Sequence, residues 1–217
     1  MTSFQILKAL LSAIGDGERI GDVVVLKSAL STQRAYPRIE AMLGDVRGYH
    51  PHLDMAALAA LPVGSFGHEY HRFMSSNGLH PITITGNLPE SLVAENAFMV
   101  RYGIIHDMVH VLTGFDATWP GEAGVWAFVG AQGYSRTMVF AGYMSLLVAP
   151  IVSPLSIGRA WRCWRRGRAM GRAARLLLTM RLEDLLESDL SEVRSALGIA
   201  GASDGYLHAD ARQRLAG

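Results

Sequence analysis

One cysteine, Cys163, stands alone among 217 residues. The chain can therefore form no internal disulfide and no thiolate-rich metal site. Formal charge is scarce: Asp, Glu, Lys and Arg make up 18% of residues and nearly cancel, at +1. That balance leaves no acidic tail and no globally basic surface, so no nucleic-acid partner is expected. The amino terminus lacks the long apolar run and small-residue cleavage pattern of a secretory signal. Asp16 and Glu18 come too early for an acid-poor transit peptide. Also missing are a Gly-rich phosphate loop, a Ser–His–Asp arrangement and a nucleophilic-cysteine signature. Apolar residues, by contrast, reach 50%, which excludes disorder and permits one sizeable core. The length fits a single domain over residues 1–217.

The charge is unevenly placed. Residues 1–136 carry 9 basic and 12 acidic side chains, a net of −3, and residues 137–217 carry 11 and 7, a net of +4. Between Arg159 and Arg175 lie seven arginines with no acid among them, directly after a run of 22 uncharged residues, Thr137–Gly158. An apolar run followed by arginines points to membrane contact. A spanning helix needs about 20 uninterrupted apolar residues, and here Pro150 and Pro154 break the run. The expectation is a buried core helix, Arg136–Ala149, then a proline-bounded turn and an Arg-rich helix. That helix has two readings: a solvated face, or a surface lying on anionic headgroups with Trp161, Trp164 and Leu176–Leu178 at the interface.

Most other segments read as helices. Ser3–Ile14 has helical apolar spacing, stopped at Gly15-Asp16-Gly17. Asp22–Ser31 is ambiguous between helix and strand. Asp54–Leu61, Ser65–Ser76 and Ser91–Leu112 are expected helices, and Pro81–Pro89 is a loop with a candidate extended piece at Ile82–Ile84. Phe115–Pro120 connects to a helix from about Gly121, and Arg181–Leu197 reads as one helix ending at Gly198. The tail, residues 201–217, is expected to fray. No strand pair with hairpin chemistry stands out. The fold class is all-α, a single-domain helical bundle.

The chemistry concentrates in His106-Asp107-Met108-Val109-His110. Residues four apart share a helical face, so His106 and His110 can converge on one ion. Asp107 lies beside them. Eleven residues separate His110 from Glu122, and a helix–turn–helix hairpin would bring that carboxylate back over the imidazoles. Two imidazoles with one or two carboxylates suit Zn²⁺ first, and also Fe²⁺ or Mn²⁺. A half-buried helix whose histidines bond a carbonyl or water would show the same His spacing. The added carboxylates tip the reading toward a cation, because such groups are costly to bury unpaired. The pattern is H-D-x-x-H, which lacks the glutamate of the usual zinc proteases. His68, Glu69 and His71 read as a polar helix face. His50 and His52 receive no role. Ten methionines and many aliphatic residues mean core, or the lining of an apolar cavity for a long apolar ligand.

These residues resemble the coenzyme Q (ubiquinone) biosynthesis protein 4 family, bacterial branch. The carriers are His106-Asp107-x-x-His110 with Glu122, the segment Leu61-Pro62-Val63-Gly64-Ser65-Phe66-Gly67-His68-Glu69-Tyr70, and Arg101-Tyr102 just before the metal helix. Further landmarks are Gly114-Phe115, Gly121-Glu122, Gln132 and Glu183-Asp184-Leu185-Leu186. The match covers roughly residues 60–200. The chain departs from the eukaryotic branch at Gly103-Ile104 and at Val129, where charged residues are usual there.

The resemblance implies an all-helical, membrane-associated protein handling polyprenylated ring intermediates of ubiquinone. It implies His106, Asp107, His110 and Glu122 as metal ligands. The expected reaction is a metal-dependent carbon–carbon lyase step: removal of the ring C1 carboxylate from a 4-hydroxybenzoate-derived lipid, coupled or not to C1 hydroxylation. Glu122 or Asp107 would ligate or shuttle the proton. The rival is a non-catalytic polyprenyl-lipid carrier or scaffold with a structural metal. Expected partners are the polyprenylated aromatic lipid, a membrane surface through Arg159–Arg175, other ubiquinone-biosynthesis enzymes and a second copy in a homodimer. The expected location is cytoplasmic, peripheral to the inner membrane.

Overall fold

The computed structural model describes residues 1–14, 16, 19–31, 34–200 and 202. Among these, twelve α-helices and no named strand occur, with one isolated bridge between Ser65 and Asp189. The expected stop at Gly15-Asp16-Gly17 and the expected fraying of the tail fall wholly or largely outside the described residues.

Helix α1 (Ser3–Ala13) opens on a reciprocal cap in which Thr2 and Gln5 bond each other's backbone. Helix α2 (Ile20–Ser31) resolves the ambiguous Val23–Val25 stretch. A strand there would need a partner for its backbone, whereas a helix closes its own bonds. The buried Asp22 accepts from the Thr85 amide at 2.9 Å and the Thr85 hydroxyl at 2.7 Å, tying the Pro81–Pro89 loop onto α2. The loop carries no strand at Ile82–Ile84.

Short helices α3 (Pro37–Ala41) and α4 (Met55–Ala59) lead to α5 (Phe66–Asn77), which Ser65 caps and Gly78 ends in a left-handed turn. The expected single helix Ser91–Leu112 is two, α6 (Glu90–Glu95) and α7 (Ala97–Thr113). Asn96 breaks it. Its side-chain amide donates to the Leu92 carbonyl at 2.8 Å while its backbone leaves helical geometry, a competition typical of Asn. Helix α7 is buried almost all round, as a central helix must be. Its last carbonyls are capped from far away: the Arg194 guanidinium donates to the Val111 and Leu112 carbonyls at 2.8 and 2.9 Å.

Helix α8 (Trp119–Gln132) starts two residues before the expected Gly121. It packs extensively on both α9 (Arg136–Leu147) and α11 (Ile157–Ala173). Small residues make the α8–α11 seam: a Cβ on Gly167 would overlap the Gly124 carbonyl, and one on Gly171 the Phe128 carbonyl. Gln132 fastens its far end. Its amide nitrogen donates to the Gly171, Ala174 and Arg175 carbonyls, and its oxygen accepts from Tyr134 and the Leu177 amide.

Three expectations need correction. Helix α9 is not a buried core helix: only Met138, Gly142 and Ser145 are buried, while Phe140, Tyr143 and Leu147 are exposed. Its small residues face inward because α8 lies so close, and a Cβ on Gly142 would sit 2.8 Å from the Trp126 carbonyl oxygen. The large apolar side chains are left outside. Leu177 and Leu178 are fully buried, so they cannot lie at a lipid interface. Finally, Arg181–Leu197 is not one helix but a 3₁₀ turn, Leu182–Leu185, followed by α12 (Leu190–Leu197). The interruption lets residues 186–190 bond the 64–67 segment: Gly67 donates to Leu186, Phe66 to Ser188, and Leu190 back to Gly64.

The uncharged run ends its helix at Leu147, continues as the short α10 (Ala149–Val152) and breaks at Ser153 before Pro154. Among the described residues no helix is long and apolar enough to cross a membrane.

Candidate metal centre

His106 and His110 project from successive turns of α7, with ring centroids 5.0 Å apart and planes nearly perpendicular. Gly114 closes the helix in the left-handed conformation, and the chain turns through Phe115–Thr118 into α8. The turn is locked by a buried carboxylate. Asp116 accepts from the Thr118 hydroxyl at 2.6 Å and pairs with Arg159 of α11. Gly121 is required next to it, since a Cβ there would overlap the Asp116 carbonyl. Glu122 is thus set in the first turn of α8, where the helix dipole favours a carboxylate.

Glu122 returns over the imidazoles as the spacing predicts. Its oxygens lie 3.2 Å from His110 Nε2 and 3.7 Å from His106 Nε2. Ligand atoms of the three residues all fall within 4.8 Å of one another. Hydrogen bonds to the other ring nitrogens orient the imidazoles. The Phe115 carbonyl, 3.2 Å from His110 Nδ1, can only accept, so Nδ1 carries a proton; Nε2 faces Glu122 and either donates to it or, with that proton lost, offers its lone pair to a cation held between them. Phe73 of α5 stacks on the His110 ring at 5.1 Å. The Tyr102 hydroxyl sits 3.2 Å from His106 Nδ1, one turn earlier on α7.

The electrostatics separate the two carboxyls. Burial pushes Asp107 above the ordinary carboxyl range, with the two histidines opposing that shift and Glu122 adding to it. Burial acts on Glu122 in the same sense, but the hydrogen bond and charge of His110 and the charge of His106 outweigh it, so Glu122 lies below its usual value. Burial disfavours the charged form of His110 too, yet Glu122 outweighs it and the pKa rises. His106 is lowered, by burial first and then by His110. Burial pushes the Tyr102 phenol far up, so it remains neutral.

Of the four residues expected to ligate, the structure brings His106, His110 and Glu122 together. Asp107 is half-buried nearby and is not part of that three-residue group. Two imidazole nitrogens and a carboxylate oxygen are a donor set that can hold a divalent cation. The group lines neither the apolar groove of about 460 Å³ between α1 and α2, nor the cleft of about 810 Å³ near His52 and His80. The groove reaches Met99, seven residues before His106, or about 10 Å along a helix rising 1.5 Å per residue.

Several supporting groups escaped the sequence reading. Tyr102 is four residues before His106, so the rule that paired the histidines would have found it. Arg101 is fully buried and grips Glu183 with two contacts, at 2.5 and 2.8 Å. Both residues were noticed as landmarks, without a role. The pair anchors α7, immediately before the metal face, to the 3₁₀ turn at Leu182–Leu185. In the His68, Glu69, His71 cluster, Glu69 pairs with Arg72 at 3.1 Å and His71 meets Ser75 at 3.1 Å, while the buried His68 Nδ1 finds no hydrogen-bond partner among the described residues.

Comparison with known proteins follows this geometry. The ubiquinone biosynthesis protein COQ4 of Eremothecium gossypii, a mitochondrial protein, is 29% identical over 158 residues, covering 69% of this chain and 46% of that protein. A COQ4 homolog of Culex quinquefasciatus is 33% identical over 150 residues, covering 68% and 52%. The chain spans about half the length of these curated relatives. A crystal structure from Nostoc punctiforme PCC 73102, described provisionally as a ubiquinone biosynthesis protein, superposes with a TM-score of 0.62. It is 22% identical, with 92% of this chain and 95% of that one covered, a likeness of fold. The family described as coenzyme Q (ubiquinone) biosynthesis protein Coq4 matches residues 47–203, and the chain belongs to it.

Proposed function

We propose that this chain acts in ubiquinone biosynthesis, removing the C1 carboxylate from a polyprenylated 4-hydroxybenzoate-derived intermediate in a metal-dependent step. The observation that carries this reading is the convergence of His106, His110 and Glu122 on one point. A divalent cation held there, Zn²⁺ by its donor set with Fe²⁺ or Mn²⁺ as alternatives, would supply Lewis acidity toward a ring carboxylate or ring oxygen.

This chain's own residues do the rest. His110, aimed by the Phe115 carbonyl, and His106, held by Tyr102, keep their Nε2 atoms converged on Glu122. Breaking the bond between C1 and the carboxyl carbon releases CO₂ and leaves the electron pair on C1, where a proton must arrive. Asp107, a carboxyl that burial raises above its ordinary range, or Glu122 would deliver it. The apolar groove between α1 and α2 offers space for isoprene units, each buried CH₂ contributing about 0.8 kcal/mol.

A carrier or scaffold role is the second reading, and the apolar surface left exposed on α9–α11 favours it. One experiment separates the two. Purified chain is loaded in turn with Zn²⁺, Fe²⁺ and Mn²⁺ and incubated with a polyprenyl-4-hydroxybenzoate. Release of CO₂ by the wild type and none by His110→Ala supports the lyase. Stoichiometric lipid binding without turnover under every metal replaces it with the carrier.

A further inference from the structure

Helix α8 begins without a side-chain cap of its own. Thr118 stands at its N-cap, where a threonine hydroxyl ordinarily accepts from a backbone amide of the first turn, yet no such bond forms. The hydroxyl instead donates to Asp116 Oδ1 at 2.6 Å, and the Thr118 amide donates to the same oxygen at 3.3 Å. From there the bonding runs on to the metal group, because the Thr118 carbonyl accepts from the Glu122 amide at 2.8 Å. The position of Glu122 therefore depends on the position of Asp116.

Asp116 is held in turn from another helix. Its side chain is 3% exposed, and the Arg159 guanidinium of α11 pairs with its second carboxylate oxygen. Another nitrogen of the same guanidinium reaches the Thr118 hydroxyl at 3.4 Å. The planar fork of arginine suits two such contacts, where lysine offers a single point charge. Two turns along α11, Arg166 lies over the Phe115 ring at 5.4 Å, and Phe115 supplies the carbonyl that faces His110. A carboxylate buried without its cation is costly, so the turn would rearrange if Arg159 were lost.

We infer that Arg159 is a positioning residue for the metal group: through Asp116 and Thr118 it sets where Glu122 stands over His106 and His110. The inference rests on the reading of those three residues as a metal centre. It adds to them a cation from a helix that contributes none of the three. A ligand whose supporting bonds are removed is aimed less well and holds a cation less tightly.

The test is the affinity of the purified chain for Zn²⁺, measured by competition against a chelator. The visible spectrum of the Co²⁺-loaded chain reports on ligand geometry. Arg159→Gln is expected to weaken Zn²⁺ binding roughly tenfold and to alter the Co²⁺ absorption. Arg159→Lys, which restores a cation without the fork, should recover part of the loss. Asp116→Asn should weaken binding by a similar factor. The Asp116→Asn/Arg159→Gln double variant should lose no more than the larger single change, because both act along one path. Arg162→Gln, at an exposed neighbour on α11, should match the wild type. Circular dichroism shows which variants are folded, and Asp116→Asn carries the test where Arg159→Gln is not. Wild-type affinity and spectrum in the folded variant overturn the inference, and so do losses that simply add in the double variant. A wild type that binds neither Zn²⁺ nor Co²⁺ is a different result: it refutes the metal centre itself, and the inference falls with it.

Discussion

Two connections in the chain contrast, α7 into α8 through Gly114–Thr118 and α9 into α11 through Val148–Ser156. In the first hairpin the ionisable groups go inside. His110 and Asp116 are buried and Glu122 half-buried, and each meets a named partner. In the second the apolar groups go outside, and Leu147, Ile151 and Leu155 are largely exposed. Each hairpin inverts the ordinary rule of apolar in and polar out. Exposed single leucines are normal in proteins, whereas buried charge and contiguous exposed apolar surface are the informative departures. The two inversions are joined by α8, which carries Glu122 at its start and packs against α11 over most of its length.

The comparison can be broken most severely at the first hairpin. His110→Ala removes one of three converging donors, and a complete loss of bound metal equivalent is expected, with helical content retained. Elemental analysis of the purified variant checks this, and a full equivalent retained would remove the centre from consideration. The seam joining the hairpins is the next target. Gly167→Ala forces a methyl group onto the Gly124 carbonyl, and overpacking of this kind costs about 1–3 kcal/mol. At roughly 2–4 °C per kcal/mol for a chain of this size, thermal melting should show a clear drop, and an unchanged midpoint would contradict the close packing. The mildest change sharpens the picture. Tyr102→Phe deletes only the hydroxyl beside His106, and loss of a hydrogen-bond partner that orients a ligating imidazole costs about 10–100-fold in metal affinity. Competition against a chelator measures it. An affinity equal to wild type would make Tyr102 simple packing.

The metal face was legible because it is local. His106 and His110 are four apart in a segment expected to be helical, and the left-handed Gly114 closes that helix at the expected Thr113-Gly114 stop. Asn96 shows the limit: it sits inside a helix-like pattern, and only its side-chain bond to Leu92 reveals the break. The Arg181–Leu197 segment failed in the same way, since the bonds that interrupt it run to residues 64–67. No local spacing encodes them.

The sequence by itself determined the all-helical class, the proline break after α9, the paired imidazoles and the carboxylate that returns to them. These follow from backbone geometry within one or two turns. Only the tertiary structure decided which face of α9 points out, which arginines turn inward, and which carbonyl orients the His110 ring. Those outcomes depend on groups far apart in the chain or on the path of the turn: Gly142 against Trp126, Asp116 against Arg159, and the Phe115 carbonyl against His110. A repeating pattern tells which residues share a side, but only the close approach of another helix settles which side is buried.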